Sequence, residues 1–387
     1  MMTSATWIDE ALRTRCLARR REAIRDSLRA KGLDGLIAYG SGRHSFLASN
    51  PAWWLTGLRQ IGPHLAIAIT LDGDPFVIAT PAYDARRIAQ RIGHIELTVV
   101  DEADFIETVR RELDRRGLLG KRFAIAGGVQ PKRIYDTWPT IFSTPPQSGD
   151  ALVSDIARLR DDWAMACVRR GADIAERGWA NALTTAHSGM AEYELAAEME
   201  ADMRAMGAED NFQLLSASQH NRAAHRASNR TFAAGDVLLG EVTPSVEGEY
   251  VQICRTAVFG EPTKLQQDTF ALLDGALRRA MAAATPGTPA RDIVRVMNEP
   301  IIAAGYEPYT KPPYMRTRGH SMALGSLDPE IAVDSDQILV EGMVFVLHPN
   351  QYIPETGYVM CGEPVLITRD GAVPLTARMG ALDVIPA

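Results

Sequence analysis

The sequence predicts two domains in series, an α/β domain over residues 1–150 and an α+β domain over residues 151–387. Three observations point there. Short apolar runs alternate with helical patterns through the first 150 residues. Long helical patterns followed by strand-rich stretches fill the rest, as expected of helices packed on a mostly antiparallel sheet. Between them, Pro145-Pro146-Gln147-Ser148-Gly149-Asp150 concentrates turn formers into a linker.

In the first domain, Arg19 to Lys31 is a charged amphipathic helix that Gly32 ends. Leu36-Ile37-Ala38-Tyr39 suits a buried strand. Leu65 to Thr70 and Pro75 to Ala79 flank Asp72-Gly73-Asp74, which marks a hairpin. Phe105 to Arg116 reads as a helix and Phe123 to Ala126 as the strand after it. In the second domain, Val153 to Ala186 and Ala191 to Met206 have helical patterns. Strands are expected around Val237–Leu239, Val251–Val258, Val344–Leu347 and Pro364–Thr368. Two helices, Gln266–Ala284 and Pro289–Ala304, separate the strand groups.

Composition narrows the function classes. Hydrophobic residues at 46% and charged residues at 23% suit a folded globular chain rather than a disordered one. The net charge of -7 argues against nucleic acid as a partner, because phosphate binding needs a basic face. No run of 18 apolar residues predicts a membrane span. Met1 to Arg15 lacks the apolar segment of a secretory leader. Cys16, Cys167, Cys254 and Cys361 are widely spaced, without a Cys-x-x-Cys pair. That usage fits a reducing compartment, and a cytoplasmic location is expected.

Five stretches carry a family resemblance: Gly235 to Glu241, Tyr250 to Thr256, Gly319-His320-Ser321, Gly342 to Pro349 and Val365 to Gly371. In this order and spacing the chain resembles the pita-bread creatinase/aminopeptidase P/prolidase family. Trp54-Leu55-Thr56-Gly57 resembles a motif of that family's N-terminal domain. The resemblance implies the creatinase/aminopeptidase fold, with a pita-bread catalytic domain after a creatinase-like N-terminal domain. It also implies five metal-ligand positions, two Asp, one His and two Glu. Here those positions hold Glu241, Gln252, His320, His348 and Gly362, with Glu363 one step beyond. Gln252 is neutral and Gly362 has no side chain, so no dinuclear metal and no cofactor are expected. A single ion on Glu241, His320 and His348 stays an alternative.

The resemblance then suggests a catalytic set of His225, Glu241, His320 and His348, with His220 as the rival of His225. An imidazole exchanges protons near pH 7 and suits activation of water or protonation of a leaving nitrogen. Arg316 and Arg318 offer guanidinium forks for a substrate carboxylate. Gln252 and Cys254 should share one strand face, with Cys254 either a reactive thiol or a small core residue. Trp53, Arg59 and His64 would reach the partner's pocket in a homodimer, as the resemblance implies, or else belong to the core and surface of their own domain.

The expectation from sequence is a metal-independent, creatinase-like hydrolase that cleaves a C–N bond in a small nitrogenous carboxylic acid. Three alternatives stand beside it: a metal-dependent X-Pro aminopeptidase or dipeptidase, a lyase acting beside a carboxylate, and a non-catalytic binding protein. Leu327 counts against a peptidase, because the aminopeptidases carry a second histidine there.

Overall fold

Asp9 accepts the Leu12 N–H at 2.9 Å and opens α1 (Glu10–Lys31), which Gly32 closes at φ 64°. The helix begins well before Arg19. Its first turns look too charged in sequence, yet they bury Arg13, Cys16 and Leu17. The computed structural model describes residues 8–42 and 46–386. It divides into two units, Met1–Trp163 and Ala164–Ala387.

The first unit is built on a six-stranded sheet in the order β4-β3-β2-β1-β5-β6. Its strands are β1 (Gly35–Gly40), β2 (Leu65–Thr70), β3 (Phe76–Ala79), β4 (Glu96–Val99), β5 (Phe123–Ala126) and β6 (Gln147–Ser148). The expected hairpin pairs Leu65 with Ala79 and Ala68 with Phe76. Helices α2 (Pro51–Thr56), α3 (Ala85–Ile92), α4 (Phe105–Arg115), α5 (Lys132–Ile141) and α6 (Asp150–Ala157) complete the unit. Tyr39, Phe76, Phe105, Phe123 and Trp138 share its core. The Pro145–Asp150 stretch joins this unit: β6 pairs with β5, and Asp150 accepts the Gly127 N–H at 2.7 Å.

The helical pattern from Val153 to Ala186 is two helices rather than one. After α6, residues 158–161 interrupt it before α7 (Asp162–Thr185). The second unit continues with α8 (Glu192–Ala205), β7 (Asp210–Ser218), β8 (Val237–Val246), β9 (Glu249–Tyr250) and β10 (Ile253–Phe259). Two helices follow, α9 (Lys264–Ala283) and α10 (Ala290–Ile301). Then come β11 (Gly319–Ser321), β12 (Val344–Leu347), β13 (Gln351–Ile353), β14 (Gly357–Val359), β15 (Glu363–Thr368), β16 (Gly371–Pro374) and β17 (Leu382–Ile385). One sheet runs β17-β10-β8-β7, with β9 on β8. A second runs β11-β12-β15-β16, and β13 pairs with β14. This is the pita-bread architecture, following an α/β domain. Helices α9 and α10 bury Leu273, Leu277, Ile293 and Met297 with Phe345 and Val365.

The two sheets meet at one backbone pair. Cys254 N–H donates to Gly362 O at 3.1 Å, and Gly362 N–H donates to Cys254 O at 3.2 Å. Strand alternation turns Arg255 and Glu363 to the opposite side from Cys254 and Gly362. There they form an ion pair at 2.9 Å, with side chains 3% and 1% exposed. Thr376 Oγ1 and the Gly380 N–H also donate to the Glu363 carboxylate, at 2.6 and 2.7 Å.

Substituting Glu363→Gln leaves the Arg255 charge buried and uncompensated. The expected loss is about 3–5 kcal/mol of unfolding free energy, read from urea denaturation.

Candidate active site

Register brings the candidate residues onto one face. Glu241 on β8 stands directly opposite Cys254 on β10, and Gln252 lies two residues from Cys254 on the same side. Cys254 pairs with Gly362 across the seam. Gly362 faces His348 at the end of β12, since Leu347 pairs with Glu363. His320 on β11 pairs with Val346 and so shares the His348 face. The row is Glu241, Cys254, Gly362, His348, His320.

Burial sets the charge of this row. The Glu241 carboxyl is pushed up to about 7 by desolvation, so it exchanges a proton near neutrality. Desolvation pulls the His320 imidazole down to about 4. Desolvation, with His320 beside it, pulls His348 down to about 3. Both rings are neutral at pH 7, with centroids 5.3 Å apart. His320 Nδ1 lies 3.0 Å from Ser321 O, which assigns the proton to Nδ1 and leaves a lone pair on Nε2. His348 Nδ1 is buried without a hydrogen-bond partner.

The surroundings of Cys254 disfavour a thiolate. Burial, with Glu241 nearby, raises its thiol to about 12. Its sulfur accepts from Gln252 Nε2 at 3.7 Å and from Asn350 Nδ2 at 3.6 Å. Gln252 Oε1 is buried and unpaired, an open acceptor beside this sulfur. Asn350 is a site residue that the motifs did not flag, although it follows His348 by only two residues. Its Oδ1 accepts the Cys361 N–H at 2.9 Å, which ties it to the seam.

The other candidates are placed differently. Arg318 is fully buried and does not offer its fork to a ligand. Its Nε donates to Asn298 Oδ1, NH1 to Asn350 O and NH2 to Gln351 Oε1, at 2.7, 2.9 and 2.7 Å. It braces the segment after His348, and its carboxylate-binding role is corrected to a positioning one. Arg316 is exposed and paired with Glu330 at 2.6 Å. His225 is exposed on the loop after β7, where its backbone C=O accepts the Leu215 N–H. His220 is exposed too, with Nε2 2.8 Å from Pro354 O. Neither ring joins the imidazole pair. In the first unit, Trp53 is 3% exposed within α2, and exposed Arg59 lies 5.7 Å over its ring. His64 is buried, 2.8 Å from the Tyr39 hydroxyl and stacked on Phe105.

The chain belongs to metallopeptidase family M24, whose model matches residues 166–369. An Xaa-Pro dipeptidase of Pyrococcus furiosus is 29% identical over 231 residues, 59% of this chain and 65% of the relative. One of Lactobacillus delbrueckii subsp. lactis is 30% identical over 160 residues, 41% of this chain and 42% of the relative. The chain thus spans less than two thirds of these relatives' lengths. Among solved structures, an Xaa-Pro dipeptidase from Bacillus anthracis superposes with a TM-score of 0.80 at 19% identity, covering 95% of this chain and 99% of that one. A dipeptidase from Pyrococcus horikoshii gives 0.81 at 22% identity, covering 94% and 99%. These superpositions show the fold.

The relatives overturn the expectation of a metal-independent, creatinase-like hydrolase. They are named Xaa-Pro dipeptidases, and the family is one of metallopeptidases. That expectation rested on departures at four of the five ligand positions, and similarity along the whole stretch outweighs them.

The residues themselves do not fit a metal pair. Hard or borderline ions need clustered carboxylates and imidazoles. Among the described residues, no group of three His, Cys, Asp or Glu side chains is placed to hold an ion. Glu241 and His348 stand at three strand positions from one another in this row. The positions between them hold a thiol and a glycine. A Cβ at Gly362 would lie 2.7 Å from His348 Cβ and 3.1 Å from Cys254 Cβ, so no carboxylate fits there without a strand shift.

Folded Glu241 binds more protons than unfolded Glu241 between about pH 4.5 and 7. Its contribution to stability is therefore present at low pH and lost as pH rises through that window. The stability of Glu241→Gln minus that of the wild type should increase from pH 5 to pH 8, measured by urea midpoints. A difference that stays flat would contradict this assignment.

Proposed function

We propose that this chain is a dipeptidase of the Xaa-Pro type, a hydrolase of the C–N bond before proline in a short peptide. The M24 match through residues 166–369 carries the reading, and the relatives' names give it a substrate class. Because the donor set does not fit a metal pair, no step is routed through one, and the roles are those that this chain's own side chains can fill. Glu241, at about 7, can take a proton from an attacking water or return one to the departing proline nitrogen. Neutral His320 presents its Nε2 lone pair, and Gln252 Oε1 is a buried acceptor for a substrate N–H.

The reading extends to a homodimer, which rests on the likeness of the Trp54-Leu55-Thr56-Gly57 segment to the N-terminal domain of the creatinase-like family. Light scattering should then give twice the chain mass, and a monomer at working concentration would remove this part. The four free, buried cysteines are consistent with a cytoplasmic location.

Chromatography of Gly-Pro, Ala-Pro and Leu-Pro incubated with the protein, without and with added manganese or cobalt, tests the activity. Free proline should appear, and Glu241→Gln should lower kcat/KM by about 10²–10⁴-fold. Intact dipeptides under both conditions would refute the proposal.

A further inference from the structure

The first unit contains a cavity of about 530 Å³ that the proposed peptidase activity does not use. That volume lies in the range of small-molecule pockets, roughly 300–1,000 Å³. One wall is a face of α1 and the other is the end of α3 with the turn into β4. Four arginines line it in a chain whose net charge is -7.

Three of these arginines are already matched. Arg13 and Arg91 share the Glu10 carboxylate, at 2.8 and 3.1 Å. Arg25 pairs with Glu22 and also donates to Thr70 O and Gly73 O, at 3.0 and 3.1 Å. Among the described residues, Arg21 has no carboxylate partner. Its one hydrogen bond to a described residue runs from NH1 to Leu55 O at 3.0 Å, which leaves Nε and NH2 without acceptors among those residues. Burial and the neighbouring Arg25 guanidinium both press its pKa down, yet an arginine stays charged. The only other lining carboxylate is Asp74, exposed on the β2–β3 turn. With Glu10, Glu22 and Asp74 all ionised, four guanidinium groups still leave the lining net positive.

We propose that this cavity is an anion site for a small carboxylate- or phosphate-bearing molecule, with Arg21 as its primary ligand. The half-buried guanidinium offers two parallel N–H donors, the geometry that matches an oxyanion in bidentate fashion. Arg25, one helical turn further along α1, adds a second positive charge beside it. Water screens the site less than it would an exposed arginine.

The test uses the full chain and two probes, inorganic phosphate and citrate, each titrated by calorimetry at constant ionic strength maintained with sodium chloride. Saturable binding of at least one probe is expected, with a rise in thermal midpoint that saturates over the same concentrations. Phosphate alone would identify the source chemistry as a phosphoryl group, and citrate alone as a carboxylate. Arg21→Gln should weaken binding by about tenfold or more. Arg21→Lys keeps the charge but not the fork, and should fall between them with its fold intact. No saturable heat with either probe, or equal binding by Arg21→Gln and wild type, would overturn the proposal.

Discussion

The close approach of two β-sheets at Cys254 and Gly362 is the constraint on which the second unit depends. Two backbone hydrogen bonds hold the seam, and the space is so tight that position 362 accepts no Cβ. On one side of the seam this lines up Glu241, Cys254, His348 and His320. On the other it buries the Arg255–Glu363 pair, whose mutual neutralisation makes the burial tolerable. The same alternation of strand faces thus separates the candidate catalytic row from a structural lock.

Burial then decides the chemistry of the row. Desolvation drives a carboxyl and two imidazoles toward their neutral forms, from opposite directions. At pH 7 the row carries little net charge, although it is built from ionisable groups. A metallopeptidase family usually concentrates carboxylates where cations bind. Here an amide, a thiol and a glycine stand among the remaining groups, so family membership and donor chemistry diverge within one site.

Much of the fold was legible because its signals are local. The hairpin around Asp72-Gly73-Asp74 and the strand Phe123–Ala126 combine apolar runs with turn formers, and both stand where expected. The break at residues 158–161 was not legible, since helical periodicity continues on both sides of it. In the site, Glu241, His320 and His348 could be found from motif spacing. Arg318 was misread because its acceptors, Asn298, Asn350 and Gln351, come from other elements of the chain. From sequence alone, an arginine two residues from a pocket histidine looks like a substrate clamp. Arg21 gave no signal at all, because lacking a carboxylate partner among the described residues is a property of three-dimensional surroundings.

The tight fit at Gly362 also limits what this position can hold. Any residue other than glycine brings a Cβ, and the obstacle is the Cβ of His348, which every substitution there except glycine would keep. A carboxylate at position 362 therefore does not fit between these strands at their present spacing. The strands would have to separate first, against the hydrogen bonds of the seam. Glycine at this position therefore couples the identity of one residue to the spacing of two sheets: a side chain here would be admitted only at the expense of both backbone hydrogen bonds of the seam.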